Sequence, residues 1–330
     1  MPPGSLGEFG RIARFLRPLA AQFPGALGLT DDAALISVPP GQELVLTTDA
    51  IVAGVHFLPT DAPGDIARKA LRVNLSDLAA KGARPLAYTL TLAVGRDIED
   101  AWVEAFAAGL AEDQLRYGIM LAGGDSVSTA GPIWTSITAF GLVDGGRMVT
   151  RSGAQPADIV LVTGTIGDAA LGLAVEQGRL TVAPADRVVL VGRYRLPQPR
   201  THLAHAIAAH AHAAIDISDG LAADFGHLCR ASQVRGQIAV SKIPQSPAVR
   251  RALECDPGLI SQLLGGGDDY EVLLTAPTKA LPPLMAAAAA AGIYLTAIGS
   301  IERADSDSEA CFVDDDGNQL AVEKAGWTHS

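Results

Sequence analysis

The chain has 330 residues, a formal net charge of −11, 48% hydrophobic residues and 18% charged ones. That length exceeds what one hydrophobic core comfortably serves, so two domains are expected, and the composition is that of a folded globular protein, not a disordered one. The acidic balance argues against nucleic acid or an anionic membrane surface as partner, since both need a basic face, and an anionic substrate would need a cation to escort it.

Residues 8–19 space Phe9, Ile12, Ala13, Leu16 and Leu19 as one face of an amphipathic helix. No basic start or apolar core of a signal peptide precedes it, and no uncharged apolar run reaches a membrane span of ~18 residues, so a soluble, cytoplasmic protein is expected. Gly28 to Leu35 reads as a loop carrying Asp31-Asp32 into a short strand. The stretch 44–57, Leu-Val-Leu-Thr-Thr-Asp-Ala-Ile-Val-Ala-Gly-Val-His-Phe, is the centre of the pattern. Its β-type run stops at Thr47, Thr48 and Asp49, which are expected to emerge at the carboxyl end of a buried strand, where open α/β sheets hold ligands.

A helix is predicted over 65–82, with Asn74, Asp77 and Lys81 on one face and Leu71, Leu75 and Leu78 packing. A strand (85–94), a helix (99–117) and a short strand (119–122) follow, the last ending in Gly123-Gly124-Asp125, where glycines let backbone approach a phosphate. After a strand at 133–143, Gly153-Ala154-Gln155-Pro156 breaks the pattern, and the domains are read as 1–150 and 151–330.

The second half repeats the grammar. A strand at 159–163 leads through Gly164-Thr165-Ile166-Gly167-Asp168 into a helix, and a strand at 213–217 is expected to deliver Asp216 and Ser218 to one face at a period of two, before Asp219-Gly220 and a helix over 221–231. Gly265-Gly266-Gly267-Asp268-Asp269-Tyr270-Glu271 precedes a strand at 272–275; three glycines beside three acids read as functional. An alanine-rich helix occupies 282–292, and Asp314 to Asn318 is a hairpin turn, its glycine falling too early for a calcium loop.

Cys229, Cys255 and Cys311 lack Cys-x-x-Cys spacing and read as reduced thiols. His202, His205, His210 and His212 fall on a surface helix and loop, whereas His56 lies just past the acidic strand and faces the expected site. No phosphate-binding loop or dinucleotide fingerprint is present. Hard oxygen ligands suit Mg²⁺, which keeps waters and bridges to phosphates, so the residues point to Mg²⁺-dependent phosphoryl transfer or ATP-dependent activation.

Taken together, Gly7-Glu8-Phe9, Asp31-Asp32-Ala33-Ala34-Leu35, Thr47-Thr48-Asp49, the run 52–57, the run 69–80, Gly123-Gly124-Asp125, Thr150-Arg151-Ser152-Gly153-Ala154, the runs 162–168 and 215–221, Asp269-Tyr270-Glu271 and Gly326-Trp327 resemble the bacterial thiamine-monophosphate kinases over nearly the whole length. The resemblance implies a two-domain α/β (α+β) fold like that of aminoimidazole ribonucleotide synthetase, with the N-terminal domain forming a homodimer across its β-sheet. It implies ATP-dependent phosphorylation of thiamine phosphate to thiamine diphosphate with several Mg²⁺ ions. Asp32, Thr47, Thr48, Asp49, Asp77, Asp125, Asp216 and Asp219 match metal positions, with Asp49, Asp125 and Asp216 catalytic. Gly124, Asp125, Arg151 and Ser218 match ATP contacts, and His56, Asp268 and Trp327 match the thiamine phosphate site. Asp268 stands where the family carries Glu, a methylene longer, so a bridging water is expected. The alternatives are a sister synthetase of the same superfamily and a non-enzymatic Mg-nucleotide-binding maturation protein.

Overall fold

The computed structural model describes residues 6–304 and 310–320. By internal contacts the chain divides into two units, Met1–Leu78 with Arg84–Gly146, and Ala79–Ala83 with Arg147–Ser330. Both are mixed α/β, each built around one sheet among the described residues.

The first unit opens with a helix over 8–20 that contains a π turn, Ile12–Leu16, closed by Arg17 N–H on Ile12 O. Pro18, which has no N–H to give the preceding turn, follows directly. Phe15, Leu19 and Ala20 are its buried residues, and Phe9 is exposed. Its sheet has the order β1-β4-β2-β3, with β1 Gln42–Val52, β2 Arg84–Val94, β3 Met120–Ser128 and β4 Trp134–Asp144. β4 is antiparallel to both β1 and β2, and β2 is parallel to β3. Along β1, Val45 and Ile51 are buried while Leu44, Leu46, Thr48 and Ala50 are exposed, the signature of a sheet with one covered face. The helices Pro63–Ala80 and Asp100–Tyr117 bury Leu71, Leu75, Leu78, Phe106 and Leu110. Arg72 joins them by donating two hydrogen bonds to Asp113, Nε at 2.7 Å and Nη2 at 2.8 Å.

The second unit holds a six-stranded sheet ordered β10-β7-β9-β5-β8-β6: β5 Ile159–Thr163, β6 Ala213–Asp216, β7 Val234–Ala239, β8 Val272–Ala276, β9 Leu295–Arg303 and β10 Ala310–Val313. Val160 and Val162 belong to one apolar cluster and Leu161 to another, so alternate side chains of β5 feed cores on both faces. The continuous apolar runs of β5 and β8 follow from that double burial.

Most expected elements are present, with two differences. Ala33 to Leu35 is irregular rather than a strand, with Leu35 exposed. β3 does not end at Ala122 but continues through both glycines and Asp125 to Ser128.

Candidate functional site

In the first unit Thr47, Thr48 and Asp49 lie in the middle of β1, opposite Ala139, Thr138 and Ile137 of β4, and not at the strand's end. The polar residues do not stop the strand: Thr48 lies on the open face with Leu44 and Leu46, while Thr47, half-buried, and Asp49, exposed, share the face of Val45 and Ile51. Thr47 Oγ1 donates to Asp77 Oδ2 at 2.5 Å, which joins β1 to the helix Pro63–Ala80. Thr138 Oγ1 and Thr48 Oγ1 are 3.0 Å apart, and Thr48 Oγ1 donates to Ile137 O at 3.3 Å. Asp49 is exposed, and its carbonyl accepts from Ser136 Oγ at 3.1 Å.

Register relates Asp49 to the Gly-Gly-Asp stretch. Asp49, Ile137, Leu90 and Gly124 form one row across β1, β4, β2 and β3, and Ala50, Ser136, Thr91 and Asp125 form the next. Three strand spacings separate the ends of a row, about 14 Å, so Asp49 and Asp125 of one chain do not share one ion. Gly124 has a structural cause of its own: a Cβ there would lie 1.9 Å from Leu90 O, so only glycine lets β3 pair this closely. Gly123 faces open space. Asp125 is exposed, with Oδ1 accepting from Ser126 N at 2.8 Å, and Asp32 is exposed in the loop after Thr30.

His56 sits in the turn after β1, where Gly54 takes φ 81 and Gly54 N–H donates to Phe57 O. Val52 N–H donates to His56 Nδ1 at 3.1 Å, which assigns the neutral ring's proton to Nε2 and makes that edge a donor. Lys69, buried on the helix Pro63–Ala80, donates from Nζ to His56 O at 2.8 Å and fixes the turn from inside.

In the second unit β6 ends at Asp216, which is buried, and Ser218 lies beyond it in a turn; the period-two delivery of both from one strand does not occur. Instead the chain doubles back. The loop Gly265 to Tyr270 is bonded to this segment through Asp268 N–H on Ser218 O (2.9 Å) and Tyr270 N–H on Ile217 O (2.8 Å), with Ile217 N–H on Glu271 O (2.8 Å). Gly267 is required by that contact, since its Cβ would meet Ser218 O at 2.2 Å. Asp268 and Tyr270 adopt φ 73 and 50, uncommon for residues with side chains. Thus Asp268, far away in sequence, is brought beside the segment that carries Asp216, Ser218 and Asp219. Arg151 joins this group, its charge acting on both Asp224 and His227 of the helix Leu221–Ser232.

Three buried carboxylates behind these loops take structural roles that sequence reasoning did not assign. Asp224 Oδ2 accepts the N–H groups of Ser218, Asp219 and Gly220 at 3.1, 3.0 and 3.2 Å. Burial first, and then the charge of Asp219, pushes its pKa up to about 7. Asp269 accepts from Gly167 N–H at 2.8 Å and Ala169 N–H at 3.3 Å at the start of the helix Asp168–Glu176, and burial pushes it up to about 8. Glu271, fully buried, accepts from Arg193 Nη2, Arg200 Nε and Thr163 Oγ1, each at 2.6 Å. Their visible signal was only the acid-rich Asp268-Asp269-Tyr270-Glu271 run and an acid in the first turn of a helix. Trp327 lies outside the described residues.

The carboxylates and hydroxyls of the first unit are hard oxygen donors that suit Mg²⁺. Among the described residues no group of three acidic, histidine or cysteine side chains stands ready to hold an ion unaided.

Comparison with known proteins extends this picture. AIR synthase related protein, N-terminal domain, matches residues 30–143, and AIR synthase related protein, C-terminal domain, matches residues 155–311. The thiamine-monophosphate kinase of Caulobacter vibrioides is 43% identical over 98% of this chain and 90% of its own. The crystal structure of thiamine-monophosphate kinase from Stenotrophomonas maltophilia superimposes with a TM-score of 0.84 at 37% identity, covering 96% of this chain and 98% of that one. A structure described as AaThiL complexed with AMPPCP and TMP superimposes with a TM-score of 0.78 at 31% identity, covering 98% and 97%.

Proposed function

Since the chain belongs to the AIR synthase related family and, within it, to the thiamine-monophosphate kinases, we propose that the residues above carry out transfer of the γ-phosphoryl group of ATP to thiamine phosphate. The enzyme is an ATP-dependent kinase that forms thiamine diphosphate. The observation that carries this reading is the near full-length likeness to a relative solved with a nucleotide analogue and TMP together.

The attacking group is a phosphate oxygen, an anion at neutral pH, so no general base is needed. Rate enhancement comes from alignment and from neutralising repulsion between two polyanions. Asp32, Thr47, Thr48, Asp49 and Asp77 would hold Mg²⁺ at one end of the polyphosphate, Asp125 further along it, and Asp216 and Asp219 on the second unit; bound ions supply the charge neutralisation. Arg151 and Ser218 take the nucleotide, with Gly124 and Asp125 beside it. His56 offers its Nε2–H to a phosphate oxygen, Asp268 meets the thiamine moiety through water, and Trp327 stacks on it. The domain assignment follows: residues 1–150 bind ATP and Mg²⁺ and dimerise, and residues 151–330 complete the site.

A homodimer across the first sheet is supported by its open face, where Leu46, 61% exposed, pairs with Phe140 and Leu44 is also exposed. No helix among the described residues is long and apolar enough to cross a membrane, and a cytoplasmic site of action accords with an ATP-consuming biosynthetic step. The decisive assay incubates the protein with Mg-ATP and thiamine phosphate and follows thiamine diphosphate. Asp49→Asn and Asp125→Asn should each lose most of kcat with the fold intact. ATP turnover that depends on a different acceptor would favour a sister synthetase, and nucleotide binding without product would favour a maturation protein.

A further inference from the structure

The helix Leu221–Ser232 begins just after the turn that carries Ser218 and Asp219, with Gly220 at its N-cap. A helix start of this kind normally leaves its first N–H groups unpaired and positively polarised, a ready seat for a phosphate. Here a carboxylate takes the amides that lead into the helix, those of Ser218 and Asp219 ahead of the N-cap and of Gly220 at it. Asp224 folds back from the first turn, and its Oδ2 accepts from Ser218, Asp219 and Gly220 at 3.1, 3.0 and 3.2 Å. Asp224 is itself buried, 2% exposed, so it meets no ligand directly.

We propose that Asp224 is a positioning residue of the phosphotransfer reaction: by consuming the amide groups of the turn, it leaves the side chains of Ser218 and Asp219, not the backbone, to face the nucleotide. The inference rests on the reading of Ser218 and Asp219 as nucleotide-side and metal-side groups. Two further observations give it force. The turn is clamped from its other side, Asp268 N–H donating to Ser218 O at 2.9 Å while Gly267 leaves no room for a Cβ. With amide donors satisfied on one side and the Ser218 carbonyl on the other, the turn has one arrangement. In addition, a turn whose amides are taken by a carboxylate, flanked by Asp216 and Asp219, presents a surface for a cation-bearing phosphate and repels a bare one. Arg151 is the counterweight, close enough for its charge to act on Asp224.

The test measures binding of a non-hydrolysable ATP analogue with Mg²⁺ to the full chain by titration calorimetry, alongside separate KM values for ATP and thiamine phosphate. Asp224→Ala frees three amides and should weaken nucleotide binding by about tenfold or more, with KM for thiamine phosphate within about twofold of the original. Asp224→Asn keeps an oxygen that can accept all three N–H groups and should stay within about threefold on both substrates. Should Asp224→Ala prove insoluble, Asp224→Ser, whose hydroxyl falls short of the turn, takes its place. Nucleotide affinity unchanged in the Ala or Ser variant overturns the proposal. So does an Asn variant as weak as the Ala variant, because charge and not acceptance would then be operative. Failure of the unaltered protein to bind the Mg-nucleotide would instead remove the phosphotransfer reading itself.

Discussion

Replacing Glu271 by alanine is the sharpest probe of how the second unit is held together. The carboxylate is fully buried and is shared by two guanidinium groups whose side chains are only 11% and 12% exposed, Arg193 and Arg200. It accepts from Arg193 Nη2, Arg200 Nε and Thr163 Oγ1 at 2.6 Å each, and a further bond comes from Arg200 Nη2. Removing one partner of a buried ion pair leaves an uncompensated charge and costs about 3–5 kcal/mol, far more than the pair's net contribution over a well-packed apolar substitute. Two cations are stranded here, and among the described residues Nη1 of Arg193 already lacks a hydrogen-bond partner, so the upper part of that range is expected. For a unit of this size each kcal/mol moves Tm by roughly 2–4 °C, which for the upper part of that range, about 4–5 kcal/mol, gives a fall of roughly 8–20 °C in a thermal melt followed by circular dichroism. Glu271→Gln keeps an acceptor and loses the charge, and should fall between the Ala variant and the unaltered protein. A loss below about 1 kcal/mol in the Ala variant would refute the argument, since it would mean that water or another acid replaces the carboxylate at no cost.

Three other outcomes are expected. Asp269 is pushed up to about 8 by burial; a carboxyl with a folded pKa above its unfolded value holds its proton longer in the native state. Stability should therefore decline as pH rises from about 4 to about 8 and level off above, and Asp269→Asn, which cannot ionise, should flatten that slope in urea titrations across the range. Lys69→Met keeps the buried stem but withdraws the donor from His56 O (2.8 Å); the turn at 52–57 loosens, and KM for thiamine phosphate should rise about five- to tenfold with KM for ATP unchanged. Trp327→Ala should raise KM for thiamine phosphate roughly tenfold, the loss of about 1.4 kcal/mol of stacking and cation–π contact with a thiazolium ring, again sparing ATP; equal changes in both constants would make the residue a mere anchor.

Local pattern made most elements legible. The helices at 63–80 and 100–117 announce themselves by apolar spacing, and the second by a left-handed Gly118 just past its end. β5 and β8 read as buried strands because both faces are covered and their runs are uninterrupted. What escaped depends on pairing. Thr47 to Asp49 looked like the end of a buried strand because Leu44, Val45 and Leu46 precede them. In fact Val45, Thr47, Asp49 and Ile51 share one face of an antiparallel strand, and Leu44, Leu46, Thr48 and Ala50 share the other. Alternation was present in the sequence, but a leucine on an open face mimics one in a core, and only the register with β4 separates the two cases.

The same limit explains the acids. Asp219 and Asp224, or Asp268 and Asp269, are chemically alike in sequence, yet within each pair one serves the backbone and the other meets solvent or ligand. Asp224 and Asp269 point inward to N–H groups that no sequence pattern pairs with them, the second across about a hundred residues. Such carboxylates are costly to bury, so each marks a place where loop geometry is held at the expense of stability. Both stand directly beneath segments that carry proposed ligand groups, Ser218 and Asp219 in one case and Asp268 in the other. The second unit's proposed contribution to phosphoryl transfer thus has two layers. An outer set, Ser218, Asp219 and Asp268, carries the proposed ligand groups, and an inner set, Asp224 and Asp269, bonds the turn 218–220 to the helix Leu221–Ser232 and the loop 265–271 to the start of the helix Asp168–Glu176. Displacing the inner set should move nucleotide and thiamine phosphate contacts in ways that depend on which loop is freed: Asp224 the nucleotide side, Asp269 the substrate side. That asymmetry separates positioning from general loss of fold, which would weaken both sides together.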